Sequence, residues 1–221
     1  MNLIEAMNLR HSVRQYIDKP LEDDVISALR KEIDEINKES GMHIQLVTNE
    51  PRAFDSFMAH YGKFSGVKNY IALIGKKGSD LDEKCGYYGE RLVLLAQQLG
   101  LNSCWVAMTY SKIKSAYKIS NGEKLCVVIA LGYGKTQGAA HKSKPMEKVI
   151  NVNSSVPQWF KNGVKAALLA PTAMNQQKFI LSLNGNKVSA KAGRAFYSKV
   201  DLGIVKYHFE VGAGKENFIW E

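Results

Sequence analysis

Arg10, Ser12 and Arg14 stand two apart in "RHSVR", a spacing that an extended chain turns to one side. Guanidinium forks match phosphate oxygens in bidentate fashion, so two of them converging with a hydroxyl make a phosphate cradle. A solvated basic loop is the plainer reading of the same residues. Lys142 and Lys144 repeat the spacing of two in "HKSKP" and would add cationic charge to such a pocket. A third stretch, "APTAMNQQ" from Ala170 to Gln177, follows a run rich in leucine and alanine. There Pro171 removes a backbone donor and breaks the preceding helix. Thr172, Asn175 and Gln177 offer donors and acceptors suited to a planar, amide-bearing ring or a sugar chain, beside a plain capping role for Thr172. No Ser-His-Asp set, Cys-His pair or paired carboxylate accompanies these groups, and the five histidines lack metal-ligand spacing. That absence suits a site whose reactive centre is a bound cofactor.

The elements that must position these loops are legible as periodicities. A short helix spans Leu3 to Leu9. A longer one places Val25, Leu29, Ile33 and Ile36 on one face, with acidic residues in its first turn and Gly41 at its end. "HIQLVT" and "NYIALIG" read as strands. Asp82 to Leu99 reads as a helix whose apolar side is Leu92, Leu95, Ala96 and Leu99, closed by Gly100. "LNSCWVA" and "LCVVIALGYG" read as strands separated by a short helix at Ser111–Tyr117. Lys135 to Ser155 reads as an unpacked connecting arm. Beyond it come the helix "VPQWFKNGVKAALLA", a hairpin "KFILSLNGNKVSAKA" turning at Asn184-Gly185, the helix "DLGIVKYHFEVGAG" and the closing "NFIWE". Gly89 and Gly100 bracket one helix, and Gly203 and Gly214 bracket another at the same separation. Each is followed by a strand reaching a tryptophan, Trp105 or Trp220. This order predicts a degenerate internal duplication.

The chain has 221 residues, 45% of them hydrophobic and 23% charged, which suits one large or two small intertwined globular domains. No apolar run is long enough to span a membrane, and the N-terminus lacks the pattern of a signal peptide, so the expected location is the cytoplasm. Three scattered cysteines, Cys85, Cys104 and Cys126, fit a reducing compartment. The formal charge of +9 could serve nucleic acid, but the basic residues are scattered and no nucleic-acid motif is present. A positive field also draws anionic small molecules.

In "RHSVRQY", "GYGK…HKSKPMEKVI" and "APTAMNQQ", with a softer match in "YYGERLVLLAQQLGLNSCWVA", the chain resembles the nitroreductase family of FMN-dependent oxidoreductases, in particular its internally duplicated branch. The resemblance implies an α+β nitroreductase-like fold: a mixed or antiparallel central sheet flanked by helices, in two similar halves that form a pseudo-dimer. Residues 1–150 would be the larger half and 156–221 the reduced one. It implies FMN as cofactor and NAD(P)H as reductant, with a small-molecule acceptor such as a nitroaromatic or a quinone. Arg10, Ser12 and Arg14 would meet the flavin phosphate and ribityl chain, with Lys142 and Lys144 as further phosphate ligands. Pro171, Thr172 and Asn175 would supply the loop that usually comes from a second subunit. No residue of the chain is assigned a catalytic role.

The sequence departs from the family pattern in places. His11 replaces an arginine, Thr172 a serine, and Lys178-Phe179 stand where Pro-Trp is common. Each half lacks the other's motif, which predicts one flavin per chain and a monomer, with a weak dimer as the fallback. Backbone donors at Trp105–Ala107 are expected at the flavin ring edge and the loop Gly62–Lys68 on the substrate face. A flavin-binding protein of this fold without turnover is the alternative function, and a basic nucleic-acid-binding module a more distant one.

Overall fold

The computed structural model describes residues 1–140, 142–152 and 155–221. In chain order the elements are α1 (Leu3–Leu9), α2 (Asp23–Ser40), β1 (Gln45–Val47), α3 (Phe57–Tyr61), β2 (Asn69–Lys76), α4 (Leu81–Gln98), β3 (Asn102–Val106) and β4 (Glu123–Gly132). They continue with β5 (Ile150–Asn151), α5 (Gln158–Ala167), β6 (Phe179–Asn184), β7 (Lys187–Ala192), α6 (Ser198–Ala213) and β8 (Ile219–Trp220). The class is α+β. Two four-stranded sheets stand where one central sheet was expected.

The chain forms two compact units that interleave along the sequence. One comprises Arg10–Leu81 and Leu92–Ala139; the other comprises Met1–Leu9, Asp82–Arg91 and Ala140–Glu221. They are named here for their sheets, the β1–β4 unit and the β5–β8 unit.

In the β1–β4 unit the strand order is β1-β2-β4-β3, antiparallel throughout. Seven of the eight β2 residues are buried, because its continuous apolar run is covered on both faces. Cys126 is an extra residue in β4, where the register against β2 slips between Leu73 and Ile74. One face of the sheet carries Tyr70, Ala72, Ile74, Val128 and Ala130 into a core with Phe54, Phe64 and Tyr110. Phe64 sits 5.1 Å from Phe54, centroid to centroid. On α2 the buried residues are Val25, Leu29, Ile33 and Ile36, the face its 3.6-residue period picks out, and Gly41 closes it at φ 68°.

The β5–β8 unit holds a mixed sheet, with β5 parallel to β6, β6 antiparallel to β7 and β7 parallel to β8. The aromatic residues Phe160, Phe209, Phe218 and Trp220 form its core with Trp159 beside them. Here α6 crosses the Asp82–Arg91 part of α4 in close contact. A Cβ at Gly203 would run into the Glu83 carbonyl oxygen, and one at Gly86 into that of Val200. Inside the crossing, His208 Nδ1 meets Ala166 O at 3.0 Å and its Nε2 meets Glu90 Oε1 at 2.9 Å. The carbonyl can only accept, so Nδ1 carries a proton.

Several expectations are corrected. Ser111–Tyr117 is not helical: Ser111 N–H donates to Ala53 O and Lys118 N–H to Gln45 Oε1, which draws the segment onto neighbouring loops instead of into its own ladder. The supposed arm contains β5, and Val149 is fully buried with its carbonyl accepting from Leu181 N–H. His141 in the basic segment, and Asn153 and Ser154 in the arm, lie outside the described residues. In the stretch 92–99 the buried residues are Leu92, Val93, Leu94, Ala96 and Gln97, with Leu95 and Leu99 half-buried, because this part of the chain is enclosed on most sides. The hairpin is present, with Asn184 pairing Lys187 so that Gly185, at φ 63°, is the first loop residue. The two tryptophan strands differ in pairing, β3 being antiparallel to β4 and β8 parallel to β7.

Candidate functional site

Residues 10–17 run extended along the edge of the β1–β4 sheet, as the alternation requires. Val13 N–H donates to Ser103 O on β3, Tyr16 N–H to Ser65 O, Ser65 N–H to Arg14 O and Ile17 N–H to Tyr133 O, at 2.9–3.0 Å. Gly66, at φ 71°, admits the Tyr16 carbonyl into space that a side chain would fill. With Val13 and Tyr16 anchored in the core, the intervening residues are fixed in orientation.

Arg10 is 3% exposed, Ser12 half-buried and Arg14 exposed. All three act on one atom group, the thiol of Cys104 on β3. Burial pushes that thiol up, while the charge of Arg14, a hydrogen bond from Ser12 and the charge of Arg10 oppose the push. The phenol of Tyr16 is likewise driven well up, chiefly by burial. Ser12 forms a bridge with Ser103, which sets this segment alongside β3. Since Ser103 O faces this segment, the period of two turns the Trp105 amide and carbonyl to the same outer edge of β3.

Lys142, Lys144, Pro171, Thr172 and Asn175 all lie in the β5–β8 unit. After α5 the chain makes a 3₁₀ turn at Ala173–Asn175, with Met174, Asn175 and Gln177 at φ 49°, 53° and 44°. This left-handed region is unfavourable for residues with a Cβ, least so for Asn. A dense polar network holds it. Thr172 Oγ1 accepts from Gln177 N–H (3.0 Å), and Asn175 Nδ2 donates to Lys142 O (3.0 Å). Gln177 Nε2 donates to Lys142 O and to Asn175 Oδ1, both at 2.8 Å, while its Oε1 accepts from Lys144 N–H at 2.8 Å. The Lys144 ammonium donates to the carbonyls of Gln176 (2.7 Å) and Gln177 (3.0 Å).

The segment 142–144 and the loop 171–177 are thus laced together, and several expected ligand groups are engaged in the lacing. Lys144 serves the loop's carbonyls, and Asn175 uses both ends of its amide internally. The exposed Lys142 ammonium and the Thr172 hydroxyl proton are the donors with no bond inside this network. Sequence reasoning missed Asp201, in the first turn of α6, whose carboxylate accepts from Ala173 N–H (2.9 Å) and Gln176 Nε2 (2.6 Å). An acidic residue opening a helix is the only signal it gave. Among the described residues no group of three or more His, Cys, Asp and Glu could hold a metal ion, and no helix is long and apolar enough to cross a membrane.

Comparison with known proteins adds to this geometry. A family model described as "Putative TM nitroreductase" matches residues 2–213. No curated protein matches the chain. Among solved structures, a "putative nitroreductase" of Thermotoga maritima is similar at 22% identity and TM-score 0.67, over 98% of this chain and 85% of that one. A "putative nitroreductase in complex with FMN" from Desulfovibrio desulfuricans is similar at 18% identity and TM-score 0.53, over 71% of this chain and 99% of that one. A "Putative NADH dehydrogenase/NAD(P)H nitroreductase" of Bacteroides thetaiotaomicron is similar at 18% and 0.52, over 66% and 95%. At these identities the likeness is one of fold.

Proposed function

The chain belongs to the family described as "Putative TM nitroreductase", and from that premise we propose that it is an FMN-dependent oxidoreductase, taking electrons from NADH or NADPH and passing them to an electron-poor acceptor such as a nitroaromatic or a quinone. The observation that carries this reading is the extended segment bearing Arg10, Ser12 and Arg14, held alongside β3 by the Val13 N–H to Ser103 O bond and the Ser12–Ser103 bridge. Two guanidinium groups and a hydroxyl fit a phosphate monoester in charge and in donor count. The FMN held by the similar Desulfovibrio protein supports the choice of cofactor.

Bound FMN supplies the hydride and electron chemistry, and the chain's residues bind and orient it. Arg10 and Arg14 neutralise the phosphate, and Ser12 donates to it. The outer edge of β3 at Trp105 offers backbone groups to the ring. The loop with Pro171, Thr172 and Asn175 presents the Thr172 hydroxyl, and Lys142 adds positive charge. Lys144 acts through the loop by holding the Gln176 and Gln177 carbonyls. With the two motifs in one chain, residues 1–150 and 156–221 act as halves of a pseudo-dimer, one flavin binds per chain, and the protein works as a monomer in the cytoplasm.

The test is anaerobic mixing of the FMN-loaded protein with NADH or NADPH, followed by a nitroaromatic or a quinone. Bleaching by a reduced nicotinamide and return of colour with the acceptor are expected. Flavin that binds and bleaches with neither donor would make the protein a flavin binder of another role.

A further inference from the structure

Asp201 lies in the first turn of α6, 7% exposed, and both oxygens of its carboxyl group face the loop that carries Thr172. Oδ1 accepts from Ala173 N–H at 2.9 Å and Oδ2 from Gln176 Nε2 at 2.6 Å. Gln176 Nε2 also donates to Phe196 O at 2.8 Å, next to Tyr197, which precedes α6 at φ 56°. Between the two anchors, Ala173 and Gln176, lie Met174 and Asn175 in the left-handed region. Met174 gains nothing from packing that could offset this conformation, since its side chain is 83% exposed. Hydrogen bonding at the two ends of the pair is what holds it.

We propose that Asp201 is a positioning residue: its carboxyl group spans the strained Met174–Asn175 pair and latches the loop in the shape that presents Thr172. The latch concerns the loop itself. Its consequence for FMN rests on the reading given under Proposed function.

The latch has a predictable response to acid. The groups that face the carboxyl group from the loop are the Ala173 amide and the Gln176 carboxamide, both uncharged. Charge on the surrounding elements is carried by Lys199 on α6, by Arg194 and Lys178 on the segments flanking β6 and β7, and by Lys142 and Lys144 on the laced segment, with the Lys144 ammonium at Gln176 O and Gln177 O. Burial pushes the Asp201 carboxyl up to about 6, against the lowering effect of the Gln176 and Ala173 hydrogen bonds. The two latch bonds themselves are made to the ionised carboxylate and hold the value down, and protonation turns an O–H toward one of the two donors, so the latch weakens as pH falls through about 6.

Hydrogen exchange on the full chain tests this, read as protection factors for the N–H groups of Asn175, Gln176 and Gln177, with and without FMN. In the wild type, protection should fall as pH drops from 7 to 5. Asp201→Asn turns one acceptor into a donor aimed at a donor; it should lose roughly tenfold of protection at pH 7 and show a flat pH profile. Gln176→Ala, which removes one of the two bonds, should fall between. FMN affinity should follow the same pattern. If protection responds as described and FMN affinity does not, Asp201 latches the loop and the loop is not part of the flavin site. If protection at these amides is flat with pH in the wild type, which needs no variant to fold, or unchanged in Asp201→Asn, the latch is wrong.

Discussion

Arg14 is exposed and Arg10 is 3% exposed, so the two arginines of one motif call for different experiments. Arg14→Ala removes a charged donor without opening the core, and FMN affinity should fall roughly 10- to 100-fold, the equivalent of about 1.5–3 kcal/mol, with the unfolding midpoint unchanged. Unaltered affinity in a titration of that variant would remove Arg14 from the phosphate site. Arg10→Ala would cut into packed structure, and Arg10→Lys is the better probe because it keeps the charge and loses the fork. Asp201 makes a separate prediction for global stability. Its folded pKa of about 6 lies above the ordinary 3.8, so the folded chain holds this proton more readily than the unfolded one. The sign follows: relative to Asp201→Asn, the wild type gains stability as pH falls through 6 toward 4, by up to about 3 kcal/mol. Urea denaturation of both proteins at several pH values measures the difference, and a difference that is flat or falls with acid contradicts it. The extended course of residues 10–17 was legible because the segment alternates with a period of two and has no helical pattern. The burial of Arg10 was not, since it depends on what covers the segment. The lacing of Asn175 and Gln177 to Lys142 and Lys144 was equally hidden, because carboxamides find partners more than 30 residues away as readily as they find ligands.

Helices with one apolar stripe, such as α2, matched their sequence pattern residue for residue. On α4 the pattern misled, because Val93 and Leu94 are buried as well as Leu92 and Ala96, and no stripe distinguishes a helix enclosed on most sides. Strands as short as β5 carry too few residues for alternation to register. The α4–α6 crossing in the β5–β8 unit tests how far backbone approach, rather than side-chain burial, sets this packing. Alanine favours a helix over glycine by about 1 kcal/mol, whereas overpacking costs about 1–3 kcal/mol or more. The obstacle to a Cβ at Gly203 is the Glu83 carbonyl, which cannot rotate away as a side chain can. Gly203→Ala should therefore lower the unfolding midpoint; an unchanged or higher midpoint in thermal or chemical denaturation would mean that the helices separate at little cost.

At the scale of the whole chain, the two compact units draw on interleaved stretches of sequence. Gly100 and Gly214 both end their segments at left-handed φ, 80° and 77°, in keeping with a duplicated order of elements. The tryptophan strands that follow them pair in opposite senses, which marks how far any duplication has diverged. The net charge of +9 suits anionic cofactors and reductants and predicts that their binding weakens with added salt. The central proposal is that one chain binds one FMN without a second copy. Sedimentation velocity of the protein with FMN, recorded at both protein and flavin absorbance, tests it most directly. The account predicts flavin co-sedimenting with the monomer at one FMN per chain; flavin that stays with the solvent at saturating FMN, or sediments only with a dimer, would contradict it.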